Sequence, residues 1–371
     1  MKILIANFRY FIVGGPEVYM FKLMEFLRNN GHQPIPFSVR YDKNKESEYS
    51  HYFVSPRGKE NEICKCISCN DGCINNRAYK DLPICCAVNP AAGKESKYNN
   101  LAVTHKPKNI AIIGGGPAGM EAARIARLKG HNVILFEKEN KLGGQMLLAE
   151  EPPGKDKIRW FIDYLTYQMN YLGVDVRLNT LFDKKLLEDV QPDIIIFACG
   201  SKPIVPNIPG IENSEFVITA NDLLKAKKEI RNQDIVIIGG GLVGCETAEY
   251  LVNKSNKVTI VEMLGDIALD INPVYRGDIL ERLNNNGIRI LINNRLIDIN
   301  GQKKEIKLLN IINGSEKVIT CDLTVLACGA IPNRDLEGLI NADFPNYYLV
   351  GDCDCPGKIL DAVASGSRVA R

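Results

Sequence analysis

Twelve cysteines occur in the chain, and six of them fall between Cys64 and Cys86. Cys66, Cys69 and Cys73 are separated by two and then three residues, and Cys85 or Cys86 follows after eleven or twelve more. Thiolates this close on one loop can take several corners of a compact iron–sulfur cluster, with a distant cysteine closing it. Four thiolates at such spacing could equally hold zinc. A disulfide framework is the third reading that spacing alone permits. No histidine lies close by for a mixed site.

The second set of chemically suggestive residues is glycine. "NIAIIGGGPAGMEAARIARLKGHNVILFEKE" begins at Asn109, and "DIVIIGGGLVGCETAEYLVNKSNKVTIVEM" begins at Asp234. In the first copy Gly114 permits a tight turn, Gly116 lets the backbone approach a pyrophosphate, and Gly119 lets helix and strand pack closely. The helix that follows turns free N–H groups and a positive dipole end towards the phosphates. Glu137 ends the next strand, where an acid can bind ribose hydroxyls. The second copy places Gly239, Gly241, Gly244 and Glu262 in the same way. A carboxylate at Glu262 suits a free 2′-hydroxyl and repels a 2′-phosphate, which favours NADH, with NADPH as the alternative.

These residues require a scaffold of alternating strands and helices. The expected fold class is α/β, with two Rossmann-like dinucleotide-binding domains built on the repeat. At 371 residues, 45% hydrophobic and 24% charged, the chain has room for two or three domains with real cores. Its net charge of +2 gives no reason to expect a nucleic-acid partner. The N-terminus lacks the features of a signal peptide and no stretch has bilayer-spanning length, so a cytoplasmic protein with no membrane partner is expected. In that compartment clustered cysteines bind metal or do redox chemistry more often than they pair. Residues 1–40 read as strand, loop, helix and strand, with Met20, Leu23, Met24 and Leu27 at helical spacing. Residues 41–63 read as polar linker.

Three further stretches decide which nucleotides the two folds take. "KLGGQ" brings Gly143, Gly144 and Gln145, "PDIIIFACGSKP" is a strand ending at Gly200, and "YYLVGDCDCPGK" brings Gly351 and Asp352 before a helix near Lys358. Over residues 108–371 this set resembles the two-dinucleotide-fold flavoprotein reductases of the glutathione-reductase superfamily. The resemblance implies FAD in a first domain split into residues 108–230 and 336–371, and NAD(P)H in an inserted domain, 231–335. It implies that Glu137 binds the adenosine ribose, Gly143 and Gly144 flank the flavin beside Gln145, and Asp352 binds the ribityl–pyrophosphate region. Dithiol reductases of that superfamily keep a cysteine pair beside the flavin. Here "MLLAEEPPGK" holds none, and Cys199, Cys245, Cys321, Cys328, Cys353 and Cys355 read as small apolar fillers.

The cysteine segment then becomes the electron acceptor that the context favours, because a cluster takes one electron and zinc takes none. With its trailing "CAVNPAAGKES", the segment 58–107 resembles that of the barrel-type iron–sulfur flavoenzymes, the 2,4-dienoyl-CoA reductase and trimethylamine dehydrogenase family. That resemblance covers residues 64–371. It implies a [4Fe–4S] cluster on Cys66, Cys69, Cys73 and, from the trailing "VNP", Cys86. Spacing keeps Cys85 as competitor, and Cys64 has no place in the motif. The implied activity is NAD(P)H:acceptor oxidoreduction, with electrons passing from NADH through FAD to the cluster and on to a separate FMN barrel or other acceptor. No catalytic acid or base is named. That family places an FMN barrel, at least about 200 residues long, ahead of the cluster. Residues 1–57 instead resemble the start of a family-4-like glycosyltransferase, from "MKILIANFRYFIVGG" to "SEYSHYFVSP". The competing function is therefore a glycosyltransferase-like binding protein with an inactive reductase tail.

Overall fold

The computed structural model describes residues 2–6, 15–37, 60–98, 101–212, 215–227, 229–339 and 346–371. The chain divides into two compact units, 1–63 and 64–371.

In the first unit, strands Lys2–Ala6 and Gln33–Phe37 pair in parallel, joined by helix Gly15–Asn29. Met20 and Met24, one helical turn apart, are buried. Gly31 follows the helix at φ +75°, the left-handed conformation that ends helices and suits glycine. Gly14 and the "SEYSHYFVSP" stretch, on which the glycosyltransferase resemblance leans, lie outside the described residues.

The second unit contains two parallel five-stranded sheets. The first has the order Tyr347–Leu349, Ile194–Phe197, Asn109–Ile113, Asn132–Phe136, Asp175–Arg177. The second has the order Arg289–Leu291, Lys257–Val261, Asp234–Ile238, Leu323–Leu326, Val217–Thr219. Their central strands are unbroken apolar runs because helices cover both faces of a parallel sheet. Ala111 and Ile112 in one, and Ile237 in the other, have no exposed surface.

The chain leaves the first sheet after Ile194–Phe197 and returns to it only at Tyr347–Leu349, which pairs with that strand. The second nucleotide fold is therefore an insertion in the first. The crossing points, Ser201–Pro203 and Ala330–Pro332, pair antiparallel. The insertion begins earlier than residue 231, because Val217–Thr219 pairs with Leu323–Leu326 and belongs to the second sheet. At three residues that strand is too short to show a pattern. A three-stranded antiparallel meander, Asn294–Asn300, Glu305–Asn310 and Glu316–Thr320, completes the inserted domain. Among the described residues no helix is long and apolar enough to cross a membrane.

The last helix, Ile359–Ala370, packs along helix Pro117–Leu128. Glycine sets their separation: a Cβ on Gly366 would lie 2.2 Å from the Ala118 carbonyl oxygen. Gly366→Ala should force the helices apart and lower stability by about 1–3 kcal/mol, read as a fall in Tm. Gly277→Ala, in helix Pro273–Asn285 with nothing within 4 Å of the added carbon, should instead raise Tm, by roughly 0.5–1 kcal/mol of stability.

Candidate functional site

The first glycine turn is built from backbone that tolerates no side chain. Gly114 has φ +115°, and a Cβ there would lie 2.2 Å from Ala198 O. A Cβ on Gly119 would lie 2.0 Å from Gly114 O. Gly116 differs: its missing Cβ would meet nothing closer than Gly144 Cα at 4.0 Å. Gly116 and Gly144 pack directly on one another, since a Cβ on Gly144 would lie 2.9 Å from Gly116 Cα. Gly143, at φ +126°, ties the second loop to the first by donating its N–H to Gly115 O at 2.9 Å. Bare glycine backbone at a helix N-terminus fits the pyrophosphate of a dinucleotide.

Buried Glu137 locks the turn. Its Oε2 accepts from Gly115 N at 2.6 Å, and its Oε1 from Glu139 N at 2.9 Å. Each oxygen keeps a further lone pair for a ribose hydroxyl. Gly351, at φ +66°, brings the last strand against helix Pro117–Leu128 and donates its N–H to Ser365 Oγ at 2.7 Å. Asp352 Oδ2 then accepts from Ser201 Oγ at 3.0 Å, and Ser201 Oγ accepts from Gln145 Nε2 at 2.9 Å. The fold therefore brings together Gln145 and Asp352, both expected from sequence, and adds Ser201, which follows the Gly200 turn.

The second turn repeats the plan. Gly239 has φ +110°, a Cβ on Gly244 would lie 1.9 Å from Gly239 O, and Glu262 Oε2 accepts from Gly240 N at 2.7 Å. It differs at the helix end, where both carboxylate oxygens of Asp270 accept from Leu242 N, at 3.0 and 3.1 Å.

One cleft of about 1560 Å³ joins these parts. Its walls include Gly116, Glu137, Gln145 and Asp352 of the first fold, Glu246 of the second, and Cys69 of the cysteine segment. Gly239, Gly241, Gly244 and Glu262 lie outside it, although Leu242 and Val243 contribute. Within the cleft, sequence reasoning missed a charged group. Lys155 pairs with Glu246 and lies 4.4 Å from the Tyr275 ring centroid, and Tyr275 OH donates to Glu246 Oε1 at 3.3 Å. Burial pushes Glu246 above the usual carboxylate range, against the pull of Lys155. Burial also draws Lys155 down, but the charge and hydrogen bond of Glu246 outweigh it and the ammonium is held above its ordinary value. Glu246 sits one turn into the helix behind Gly241, the one sequence signal that could have found it.

The cysteine segment closes one end of the cleft. Residues Asp71–Tyr79 wind as a wide π-type helix, in which Asn75 N donates to Asn70 O at 3.0 Å. Three neighbours pin the loop ahead of it. Asn272 Nδ2 donates to Cys69 O at 3.2 Å and to Asp71 Oδ1 at 3.0 Å. Lys358 Nζ donates to the same Asp71 oxygen at 3.0 Å, and Lys157 Nζ to Ser68 Oγ at 2.9 Å. Among the described residues, no three His, Cys, Asp or Glu side chains are gathered tightly enough to hold one metal ion. Cys69 nonetheless feels its neighbours: burial pushes its thiol up to about 11, and Asp71, Cys73 and Cys86 add to the rise while the Asp71 amide opposes it. Cys66 Sγ accepts from Ser68 N at 3.3 Å. Cys85 Sγ accepts from Asn76 Nδ2 at 3.4 Å, and Cys64 Sγ donates to Val88 O at 3.4 Å.

Cys199 and Cys353, read from sequence as separate fillers, are neighbours. Strand pairing of Phe197 with Leu349 brings the two chain segments side by side. Proximity of the two thiols pushes Cys199 upward and Cys353 downward, and Cys199 Sγ donates to Ile113 O at 3.6 Å.

A protein-family model described as pyridine nucleotide-disulphide oxidoreductase matches residues 108–355. The chain belongs to this family. Membership implies FAD and NAD(P)H as cofactors, in keeping with the two glycine turns. The chain is 42% identical over 318 residues to an NADH oxidase of Thermoanaerobacter brockii, a match covering 84% of this chain and 48% of that protein. It is 35% identical over 319 residues to a cinnamate reductase of Clostridium sporogenes, covering 84% and 46% respectively. The solved complex of 2-naphthoyl-CoA reductase with 2-naphthoyl-CoA matches with a TM-score of 0.79 and 28% identity, over 85% of this chain and 47% of that one. A thioredoxin reductase of Lactococcus lactis, 21% identical, shares the fold with a TM-score of 0.57 over 71% of this chain and 96% of its own. The chain spans about half the length of the curated relatives it matches.

The Lys155–Glu246 pair gives a pH test. In Lys155→Met the buried carboxyl loses its cation and its folded pKa rises further. A carboxyl raised on folding stabilises the protein while protonated, below its unfolded value, and loses that contribution as pH rises through the folded value. The stability deficit of the variant, read from Tm, should be small near about pH 5 and grow towards about pH 8, reaching roughly 3 kcal/mol. A deficit independent of pH would assign the loss to packing alone.

Proposed function

We propose that this chain is the NADH-oxidising part of a flavoprotein oxidoreductase. FAD is assigned to the first turn, on Gly114, Gly116, Gly119, Glu137, Gly143, Gly144, Gln145, Gly351 and Asp352. NADH is assigned to the second, on Gly239, Gly241, Gly244 and Glu262, with NADPH the weaker substrate. A [4Fe–4S] cluster is assigned to Cys66, Cys69, Cys73 and Cys86. When bound, the flavin accepts hydride from the nicotinamide and the cluster relays single electrons to an acceptor outside this chain, such as a separate FMN barrel.

The observation that carries this reading is the continuity of the cleft from Gly116 to Glu246 and Cys69. The chain's own residues position the loop there: Asn272, Lys358 and Lys157 hold the cysteine loop against both nucleotide folds. The extent of the relatives supports the cluster. The NADH oxidase match covers 84% of the chain, more than residues 108–371 contain, so it reaches into the cysteine segment. The trailing Val88-Asn89-Pro90 favours Cys86 as fourth ligand, with Cys85 the competitor by spacing. The glycosyltransferase-like reading of residues 1–57 gains nothing from a family match that begins at residue 108.

Protein purified without oxygen should be yellow-brown and contain flavin, iron and acid-labile sulfide. Cys69→Ser and Cys86→Ser should lose most of the iron, and Cys64→Ser and Cys85→Ser should keep it. Zinc in place of iron would remove the cluster from the scheme. Iron retained in Cys86→Ser and lost in Cys85→Ser would exchange the fourth ligand. NADH should reduce the flavin, and ferricyanide through it, with at least about tenfold higher kcat/KM than NADPH, the ratio expected from about 1.4 kcal/mol of discrimination at Glu262.

A further inference from the structure

We propose that the Asp270 carboxylate occupies the pyrophosphate position of the second nucleotide fold and must be displaced when a dinucleotide binds. Asp270 thereby sets nucleotide affinity. This rests on the reading of that fold as the NAD(P)H site.

The two folds can be compared residue by residue, because the same two contacts build each. Glu137 holds Gly115 N at 2.6 Å and Glu262 holds Gly240 N at 2.7 Å. Gly143 N donates to Gly115 O at 2.9 Å, and Ala268 N donates to Gly240 O at 2.7 Å. Two residues beyond these contacts stand Gln145 in one fold and Asp270 in the other. There the folds part. Gln145 turns away from its helix, towards Ser201 Oγ at 2.9 Å. Asp270 turns inward and places both oxygens on Leu242 N at 3.0 and 3.1 Å.

The position is the one a pyrophosphate needs. Gly241 is the glycine whose bare Cα admits the phosphates, and a Cβ on it would meet Asp270 Oδ2 at 3.2 Å. A free helix N–H and the positive end of the helix dipole attract either anion, but not both at once. Asp270 is exposed and has no salt-bridge partner among the described residues. Once displaced, its charge therefore stays uncompensated beside the incoming phosphates. The loop that carries it holds its shape at a cost, since Ala268 has φ +59°, a conformation unfavourable for a residue with a Cβ.

The test is calorimetric titration of the flavin-loaded protein with ADP-ribose, which carries the pyrophosphate and both riboses without the reacting ring. Asp270→Asn and Asp270→Ala should each bind about tenfold more tightly than wild type, equivalent to about 1.4 kcal/mol, at unchanged flavin content. Asp266→Asn is the control. It removes the same charge from the same loop, where the carboxylate pairs with Arg276 at 2.5 Å, and should leave affinity within about twofold of wild type. Unchanged affinity in both Asp270 variants overturns the proposal. Weaker binding overturns it too, by making Asp270 a ligand of the nucleotide. If wild type and every variant fail to bind ADP-ribose, the reading of the second fold as the nucleotide site fails first and the proposal falls with it.

Discussion

Both halves of the second unit depend on one short contact, a buried carboxylate bonded to the backbone amide of a glycine turn. Glu137 accepts from Gly115 N at 2.6 Å and Glu262 from Gly240 N at 2.7 Å. Each joins the end of one strand to the turn that follows its neighbour. A helix must then start within a few residues, with its amides facing the same opening. The glycines make this possible sterically, since a Cβ on Gly119 or Gly244 would sit about 2 Å from the carbonyl of Gly114 or Gly239. A carboxylate buried this deeply is tolerated because backbone donors satisfy both of its oxygens.

The cysteine segment is held in two ways. Inside it, Cys85 N donates to Gly72 O at 2.8 Å and Leu82 N to Asn76 O at 2.9 Å, and from outside it is pinned to the two nucleotide folds. Asp71 accepts from Asn272 of the inserted domain and from Lys358 at the start of the last helix through the same oxygen. Asn272 also caps helix Pro273–Asn285, accepting from Tyr275 N at 3.0 Å. One amide therefore starts a helix in one domain and fixes a loop belonging to neither nucleotide fold. Gly72 is needed for the packing of the segment on itself, because a Cβ there would come within 2.5 Å of the Cys85 carbonyl oxygen.

What the sequence made legible was local. The glycine turns, the acids ending the second strands and the buried strands all follow from patterns of fewer than about forty residues, the length of a βαβ unit, whereas the interrupted first domain was implied only by the resemblance over residues 108–371. What it hid was tertiary. Ser201 gains meaning only because Gln145 and Asp352, each far away in the chain, converge on its hydroxyl. Lys155 lies in a loop that reads as a plain turn, yet it meets Glu246 across the cleft. The Cys199–Cys353 neighbourhood follows from the return of strand Tyr347–Leu349 to the first sheet, which no spacing rule reports. Val217–Thr219 escaped for a different reason, being too short to show a period.

The duplication also explains why the two folds need not bind alike. A nucleotide that stays and a nucleotide that must leave place opposite demands on the same geometry. In the first fold the loop after Glu137 ends in neutral Gln145, which is committed to Ser201, and Gly116 and Gly144 meet as bare backbone. The last helix then closes over the first through Gly366. Such a site gains affinity from every contact and has no built-in competitor. In the second fold the corresponding loop carries a charge, and that charge rests on the amide at the head of the helix. Occupant and competitor are both anions at one dipole, so the net gain on binding is the difference between two similar interactions. A small difference favours release. On the proposed assignment, the two copies of one scaffold differ at matching positions by a neutral amide and a carboxylate, and only the carboxylate rests on the amide at the head of its helix.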